Sequence, residues 1–262
     1  MTTLVCTDTE KTVSESMNKN YISIAADALA SDVVNIFEDR DLVSAPVVDK
    51  NNILLGRITI DDVVDVIREE SEHTVLNMAG LTDEEDLFAP ILSSTRRRAI
   101  WLGLNLITAL IASGVISLFQ DTIEKVVALA VLMPIVASMG GIAGSQTLTL
   151  VIRGIALGNI SSANSKSLLI KEVSVGLLNS LLWASVIGVL SSYWFNNYLI
   201  GVVIGVAMVA NLAFAALSGV LIPIVLKKLG VDPALGGGVI LTTITDVIGF
   251  FSFLTLGTIF LL

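Results

Sequence analysis

Polar, amphipathic segments fill the first third of the chain, and long uncharged runs fill the rest. Residues 99–119 carry no charged side chain, and those 21 residues are enough for one helix across a bilayer. Residues 126–152 form a second uncharged run, and residues 173–226 a third, 54 residues long. As a single helix the third run would reach about 80 Å, against a hydrocarbon core of about 30 Å, so it has to turn back. The break is expected at Tyr193-Trp194-Phe195-Asn196-Asn197-Tyr198, two amides flanked by aromatics that favour the membrane interface. A fifth run, about 235–262, is interrupted by one charge, Asp246. The predicted fold class is a multi-pass α-helical membrane protein with five spans, near 99–119, 126–152, 173–195, 198–226 and 235–262, behind an N-terminal cytosolic α/β module.

The first third has the shorter periods of that α/β module. Ile22 and Ile24 predict a short strand. Val33, Val34, Ile36 and Phe37 give a helix over about 27–39 its apolar positions. Residues 43–48 and 53–60 predict two strands around the turn Asp49-Lys50-Asn51-Asn52. A longer helix follows from Asp61 to about Met78. The expected organisation is a module core at 21–60, an acidic connecting helix at 61–80, a juxtamembrane linker at 81–98 and a membrane domain at 99–262.

Charge sharpens the division. Net charge is −9 over 262 residues, but residues 1–98 alone carry −10 and residues 99–262 carry +1. Basic residues cluster at Arg96-Arg97-Arg98, at Arg153, Lys166 and Lys171, and at Lys227-Lys228, all on one side of a five-span layout. The positive-inside rule then puts the N-terminus in the cytoplasm and the C-terminus outside. No secretory signal opens the chain, so the polar part is expected to stay cytoplasmic. One cysteine, Cys6, excludes a disulfide scaffold, and one histidine, His73, nearly excludes a His/Cys zinc site. The only basic block is the arginine triplet, so no nucleic-acid partner is expected. No enzymatic constellation is expected either.

Candidate chemistry lies in three places. Asp61, Asp62, Asp65, Glu69, Glu70 and Glu72 put six carboxylates into twelve residues, with Arg68 the only basic residue among them. Asp62, Asp65, Glu69 and Glu72 fall within about 80° on one helix face, with Val64, Ile67, Val75 and Met78 opposite. Like charges three and four apart repel, so the face suits divalent cations, which prefer carboxylate oxygens; a plain solvated face is the alternative. Asp246 lies near the bilayer midplane, where a charge costs around 2.5–3.5 kcal/mol, and Thr242, Thr243 and Thr245 add oxygens within a turn. That combination suits a cation path; a protonated Asp bonded to a neighbouring helix is the alternative. In the second span, Pro134 and the cluster Gly140-Gly141-Ile142-Ala143-Gly144-Ser145-Gln146 suggest broken backbone lining a cavity; close helix packing through Gly140 and Gly144 is the alternative. Gly201 and Gly205 are expected to serve packing alone, and Asn105, Asn179 and Asn211 to join helices.

The β-α-β-β-α order, with Pro46-Val47-Val48-Asp49 and Gly56-Arg57-Ile58-Thr59-Ile60-Asp61-Asp62, resembles a CBS module. Such modules often bind adenosine nucleotides through residues matching Thr59 and Asp62, which makes ATP a candidate ligand; a module that binds none is the alternative. Thr12-Val13-Ser14-Glu15-Ser16-Met17, within residues 1–20, resembles the tail of a preceding CBS module, so the chain is expected to begin inside a longer protein.

Taken whole, the chain resembles the MgtE magnesium channels. The resemblance rests on the CBS module, the acidic helix running into Leu76-Asn77-Met78-Ala79-Gly80, five spans, the segment from Met133 to Gln146, and the segment from Leu229-Gly230-Val231-Asp232-Pro233 to Thr242-Thr243-Ile244-Thr245-Asp246-Val247-Ile248-Gly249. It implies a homodimer in the bilayer with a pore between protomers, and Mg²⁺ as both substrate and regulatory ligand. It further implies that Asp246 is the pore carboxylate and that the backbone near Thr242 faces the ion. Asp41, Asp62, Asp65 and Glu70 match cytosolic magnesium-sensing positions, and Gly140, Gly141, Gly144, Gln146, Thr243 and Thr245 are the pore-lining candidates. The chain departs from the family's second-span pattern Gly-Gly-Asn-x-Gly-Asn-Gln at Ile142 and Ser145, from its fifth-span approach at Gly238 and Val239, and from further sensing carboxylates at His73 and Thr74. The family's helical N-terminal domain and most of the first CBS module are not matched. A carrier of another divalent ion, such as Co²⁺, and a membrane-anchored CBS sensor without transport are the rival readings; a midplane carboxylate is what an anchor would not need.

Overall fold

The computed structural model describes residues 12, 21–81, 88, 90–160 and 163–262, in two compact units divided between His73 and Thr74. The expectation for residues 1–20 lies, apart from Thr12, outside the described residues, as does much of the linker before Pro90.

The first unit has the expected β-α-β-β-α order. Strands β1 (Ile24–Ala25), β2 (Ser44–Val48) and β3 (Leu54–Thr59) form one sheet in the order β1-β2-β3, with β1 parallel and β3 antiparallel to β2. Helix α1 (Ala30–Arg40) supplies the crossover between the parallel pair. Its Val33 and Phe37, four apart, bury against Ile24, Ala45 and Val63 to make a small core. The β2–β3 turn is closed by Asp49, whose Oδ1 accepts the N–H groups of Asn51 and Ile53, each at 2.8 Å. Those amides, Ile53 first, hold the Asp49 carboxyl below its usual range. Asn52 takes a left-handed φ of 64° there, a conformation asparagine tolerates.

Helix α2 (Ile60–Met78) follows β3 without a loop. Asp62 Oδ2 accepts both the backbone N–H and the hydroxyl of Thr59 at 3.0 Å, which closes the helix N-terminus on itself.

The second unit is a bundle of α3 (Ile91–Ser117), the short α4 (Gln120–Lys125), α5 (Val127–Ala156), α6 (Ser165–Trp194), α7 (Tyr198–Lys228) and α8 (Pro233–Leu261). Five of these are long and apolar enough to cross a membrane, the number the sequence predicts. The 193–198 break holds: Asn196 has a φ of 49°, and Asn197 Oδ1 caps α7 by accepting the Leu199 N–H at 3.0 Å.

Three expectations need correction. The first membrane helix starts at Ile91, so the arginine triplet is helical rather than part of an 81–98 linker. The third starts at Ser165, ahead of the expected span at 173–195, so Lys166 and Lys171 lie on the helix itself. Charge marks where hydrocarbon ends, and a helix of 30 residues, about 45 Å long, overshoots that boundary. Finally, α5 is one continuous helix through Pro134 and the glycine cluster. Proline removes a single N–H, and the packed neighbours keep the rest of the ladder in place.

Helix α7 is the centre of the bundle, packed on α5, α6 and α8, while α3 packs mainly on α8. Small residues set these distances. Gly201 in α7 lies against Gly188 and Ser192 of α6, and Gly219 lies against Gly144 and Thr147 of α5. Between α5 and α8 stands Asn211 of α7, fully buried, its Nδ2 donating to the Val136 carbonyl of α5 at 2.8 Å. Gly140 of α5 and Gly249 of α8 face this amide from either side, and a β-carbon at Gly249 would come within 2.7 Å of it. Asn211 joins helices as expected. Asn105 does not: it donates to Trp101 within its own helix.

A wedge of this kind makes a double-mutant prediction. Gly249→Ala should destabilise the folded protein by about 1–3 kcal/mol through overpacking. In an Asn211→Ala background the same change should cost much less, because the wedge is gone. Thermal unfolding in detergent of the two single variants and the double variant measures the difference; an equal cost in both backgrounds contradicts the wedge.

Candidate ion path

Helix α8 is anchored before it reaches the site. Asp232 caps it, Oδ1 accepting the Ala234 N–H at 2.9 Å, and Pro233 occupies the first turn. The other oxygen of Asp232 accepts from Asn77 Nδ2 at 2.7 Å, which ties the last turn of α2 to the start of α8. Asn77 is buried.

Asp246 lies 13 residues past Pro233, about 20 Å along the axis and near the middle of α8. It is half-buried. Among the described residues it has neither a hydrogen-bond donor nor a basic partner. Thr242, four residues earlier on the same face, is exposed, and Gly238, a further four back, has open space where a β-carbon would stand. The threonine hydroxyl protons are directed inward to the helix: Thr242 Oγ1 donates to Gly238 at 3.0 Å, Thr243 to Val239 at 2.7 Å and Thr245 to Thr242 at 3.1 Å. The hydroxyl oxygens keep lone pairs for an ion or its waters. Thr245 is fully buried among the helices and Thr243 half-buried. Thr242 and Asp246 therefore form a polar face on α8 that, among the described residues, makes no hydrogen bond to another helix.

Helix α5 divides its candidates between two sides. Gly140 meets Asn211 and Gly144 meets Leu241 of α8, so both serve interhelical contact. Gly141 faces away, along an open groove of about 710 Å³ lined also by Ile142, Ser145, Gln146, Thr149 and Leu150, and Gln146 borders the cavity between α5, α6 and α7 as well.

One residue escaped the sequence reading. Glu172 of α6 is buried, with Thr147 Oγ1 at 3.4 Å from one carboxylate oxygen and Lys171 Nζ at 3.3 Å from the other. It borders a cavity of about 410 Å³ between α5, α6 and α7. It stands immediately before the uncharged run that begins at residue 173; continuing the helical period back past that residue turns it inward.

In the first unit, Asp41 ends α1 in a left-handed conformation with φ 50° and is exposed. Asp62, Asp65 and Glu70 are exposed on α2. Arg68 pairs with Glu72 at 3.0 Å. Among the described residues no group of three or more His, Cys, Asp or Glu side chains is gathered as a metal cage. Thr59 and Asp62 are engaged with each other, so the geometry adds nothing to the nucleotide expectation.

Comparison with known proteins fits this architecture. Residues 12–69 match the CBS domain family, and residues 133–256 match the MgtE family, described as a divalent cation transporter. The chain is 32% identical over 260 residues to "Magnesium transporter MgtE" of Bacillus subtilis (strain 168), covering 98% of this chain and 57% of that protein. It is 32% identical over 261 residues to the protein of the same name from Thermus thermophilus, covering 98% and 58%. For that of Enterococcus faecalis the identity is 29% over 258 residues, covering 98% and 57%. The chain thus spans a little over half the length of the relatives it matches. Through residues 133–256 its membrane part belongs to the MgtE family of divalent cation transporters, and a CBS domain precedes it.

Proposed function

We propose that the chain carries Mg²⁺ across the cell membrane into the cytoplasm, as a homodimer whose two Asp246 carboxylates meet at the ion path. The carrying observation is the half-buried, unpaired Asp246 midway along α8, with Thr242 on the same face. A charge at that depth has to be compensated, and among the described residues no side chain of the same protomer does so. Mg²⁺ gives up its waters reluctantly and is usually held through one or two carboxylates. One Asp246 supplies a single negative charge; a second across a two-fold axis supplies the pair that a divalent ion needs. The open faces at Gly238–Thr242–Asp246 and at Gly141–Gln146 suit such a partner. The Lys/Arg distribution supports a cytoplasmic N-terminus and an external C-terminus.

Asp246→Asn keeps size and hydrogen bonding but removes the field. In proteoliposomes, Mg²⁺ flux should fall by roughly tenfold or more, corresponding to at least about 1.4 kcal/mol of lost ion stabilisation. Retained Mg²⁺ flux in a well-folded Asp246→Asn protein would overturn the pore assignment and favour the anchored sensor. A cation panel in the same assay separates Mg²⁺ from Co²⁺.

The acidic helix carries the proposed regulation. High cytosolic Mg²⁺ would bridge Asp62, Asp65, Glu70 and Asp41 between protomers and hold the path shut; low Mg²⁺ would leave their repulsion uncompensated. Each ion shifts the equilibrium only by its differential affinity, so several weak sites act together. The Asn77–Asp232 bond gives α2 a direct hold on the start of α8. Because Asp62 also caps α2, the variant to use is Asp62→Asn, Asp65→Asn, Glu70→Gln, which keeps the acceptor oxygens and removes the charge. Its current should persist at cytosolic Mg²⁺ levels that close the unmodified protein. Identical Mg²⁺ dependence in the two would make the acidic face an ordinary solvated one.

A further inference from the structure

We propose that the cavity between α5, α6 and α7, with Glu172 as its charged wall, is a second cation site in the membrane domain that takes a hydrated divalent ion. The proposal extends the divalent-cation reading above to a place away from Asp246. On α6, Glu172, Gly176, Asn179 and Trp183 line the cavity at helical spacing; on α5, Gln146 and Thr147 complete its polar part. Glu172 is 5% exposed, and an ionisable side chain inside a membrane bundle costs several kcal/mol unless something compensates it. What compensates it among the described residues is weak. Thr147 reaches it only at 3.4 Å, the long limit of a hydrogen bond. Lys171 reaches it at 3.3 Å from a side chain that is itself 69% exposed, so the ammonium sits at the rim and exchanges with water. A carboxylate offers about four acceptor sites, most of them unused here.

Size selects the ligand. Six waters at about 30 Å³ each need about 180 Å³, and the cavity has about 410 Å³. An ion with its inner water shell fits. A dehydrated ion would find one carboxylate where it needs several anionic or carbonyl ligands, whereas a hydrated one is held by its waters bonding to Glu172, Thr147, Gln146 and Asn179. Lys171 then acts as a tethered competitor: the ion binds by displacing the ammonium from Glu172.

That competition gives the test its sign. Trp183 lines the cavity and is a local reporter once the other two tryptophans are changed, Trp101→Phe and Trp194→Phe. Mn²⁺, a paramagnetic quencher, is titrated into the full chain in detergent. Saturable quenching of Trp183, reversed by excess Mg²⁺, is expected. Glu172→Gln should abolish the saturable component. Lys171→Ala should lower the half-saturating Mn²⁺ concentration by about two- to fivefold, the value of a partly exposed ion pair. Equal quenching with and without Glu172→Gln would overturn the proposal. If Glu172→Gln does not fold, Lys171→Ala decides alone, because Lys171 is exposed: an unchanged half-saturation overturns the proposal. Asp246→Asn should leave the quenching intact, so failure of the flux prediction and failure of this site are read separately.

Discussion

Asn211 is held where three helices meet. Its Nδ2 donates to the Val136 carbonyl of α5, its Oδ1 is buried with no hydrogen-bond partner among the described residues, and Gly140 and Gly249 close on it from two helices. A buried acceptor left unmade costs about 1–3 kcal/mol, a substantial sum for a bundle whose helices gain nothing from burying apolar surface away from lipid. What that strain secures is register. Gly249 lies one turn from Asp246 and Gly140 opens the glycine cluster of α5, so one amide fixes the two segments against each other. A larger side chain at either glycine, or a smaller one at 211, alters that spacing.

Charge placement follows the same logic at longer range. The membrane part keeps very few ionisable groups, and each is accounted for differently. Basic residues lie on the helix overhangs, where water is near. Asp232 uses both oxygens in local structure, one on the α8 cap and one on Asn77. Glu172 is buried with two loose contacts, and Asp246 is half-buried with none among the described residues. The carboxylates least occupied by the fold are the ones most available to a cation.

Much of this was legible in the chain. Uncharged runs gave five spans, and the Asn196-Asn197 pair gave the tight return. Short apolar runs and the turn at 49–52 in the first third gave the element order β-α-β-β-α, but not the strand pairing. The rest depends on packing that a linear pattern does not encode. Pro134 and three nearby glycines suggested a break, but small residues also let helices touch, and only the neighbours Asn211, Leu241 and Thr147 decide between the two. Helix ends were misplaced at Ile91 and Ser165 because a charge ends a hydrophobic run without ending a helix. Glu172 was lost for that reason: its burial comes from α5 and α7, distant in sequence. Asp246 stood out because a single charge inside an otherwise uncharged run is visible without knowing its neighbours.

The central claim is that two copies of Asp246 face each other across the ion path. The most direct measurement replaces them with a soft ligand pair, Asp246→Cys with Cys6→Ser, and follows ion flux in proteoliposomes as Cd²⁺ is added. Thiolates hold cadmium far more tightly when two are in reach than when one is. Block of the residual flux at micromolar or lower Cd²⁺, with a dimer that a chelator releases, is the predicted result. Residual flux insensitive to Cd²⁺, in a protein whose introduced thiol still reacts with a small thiol reagent, would contradict a shared site.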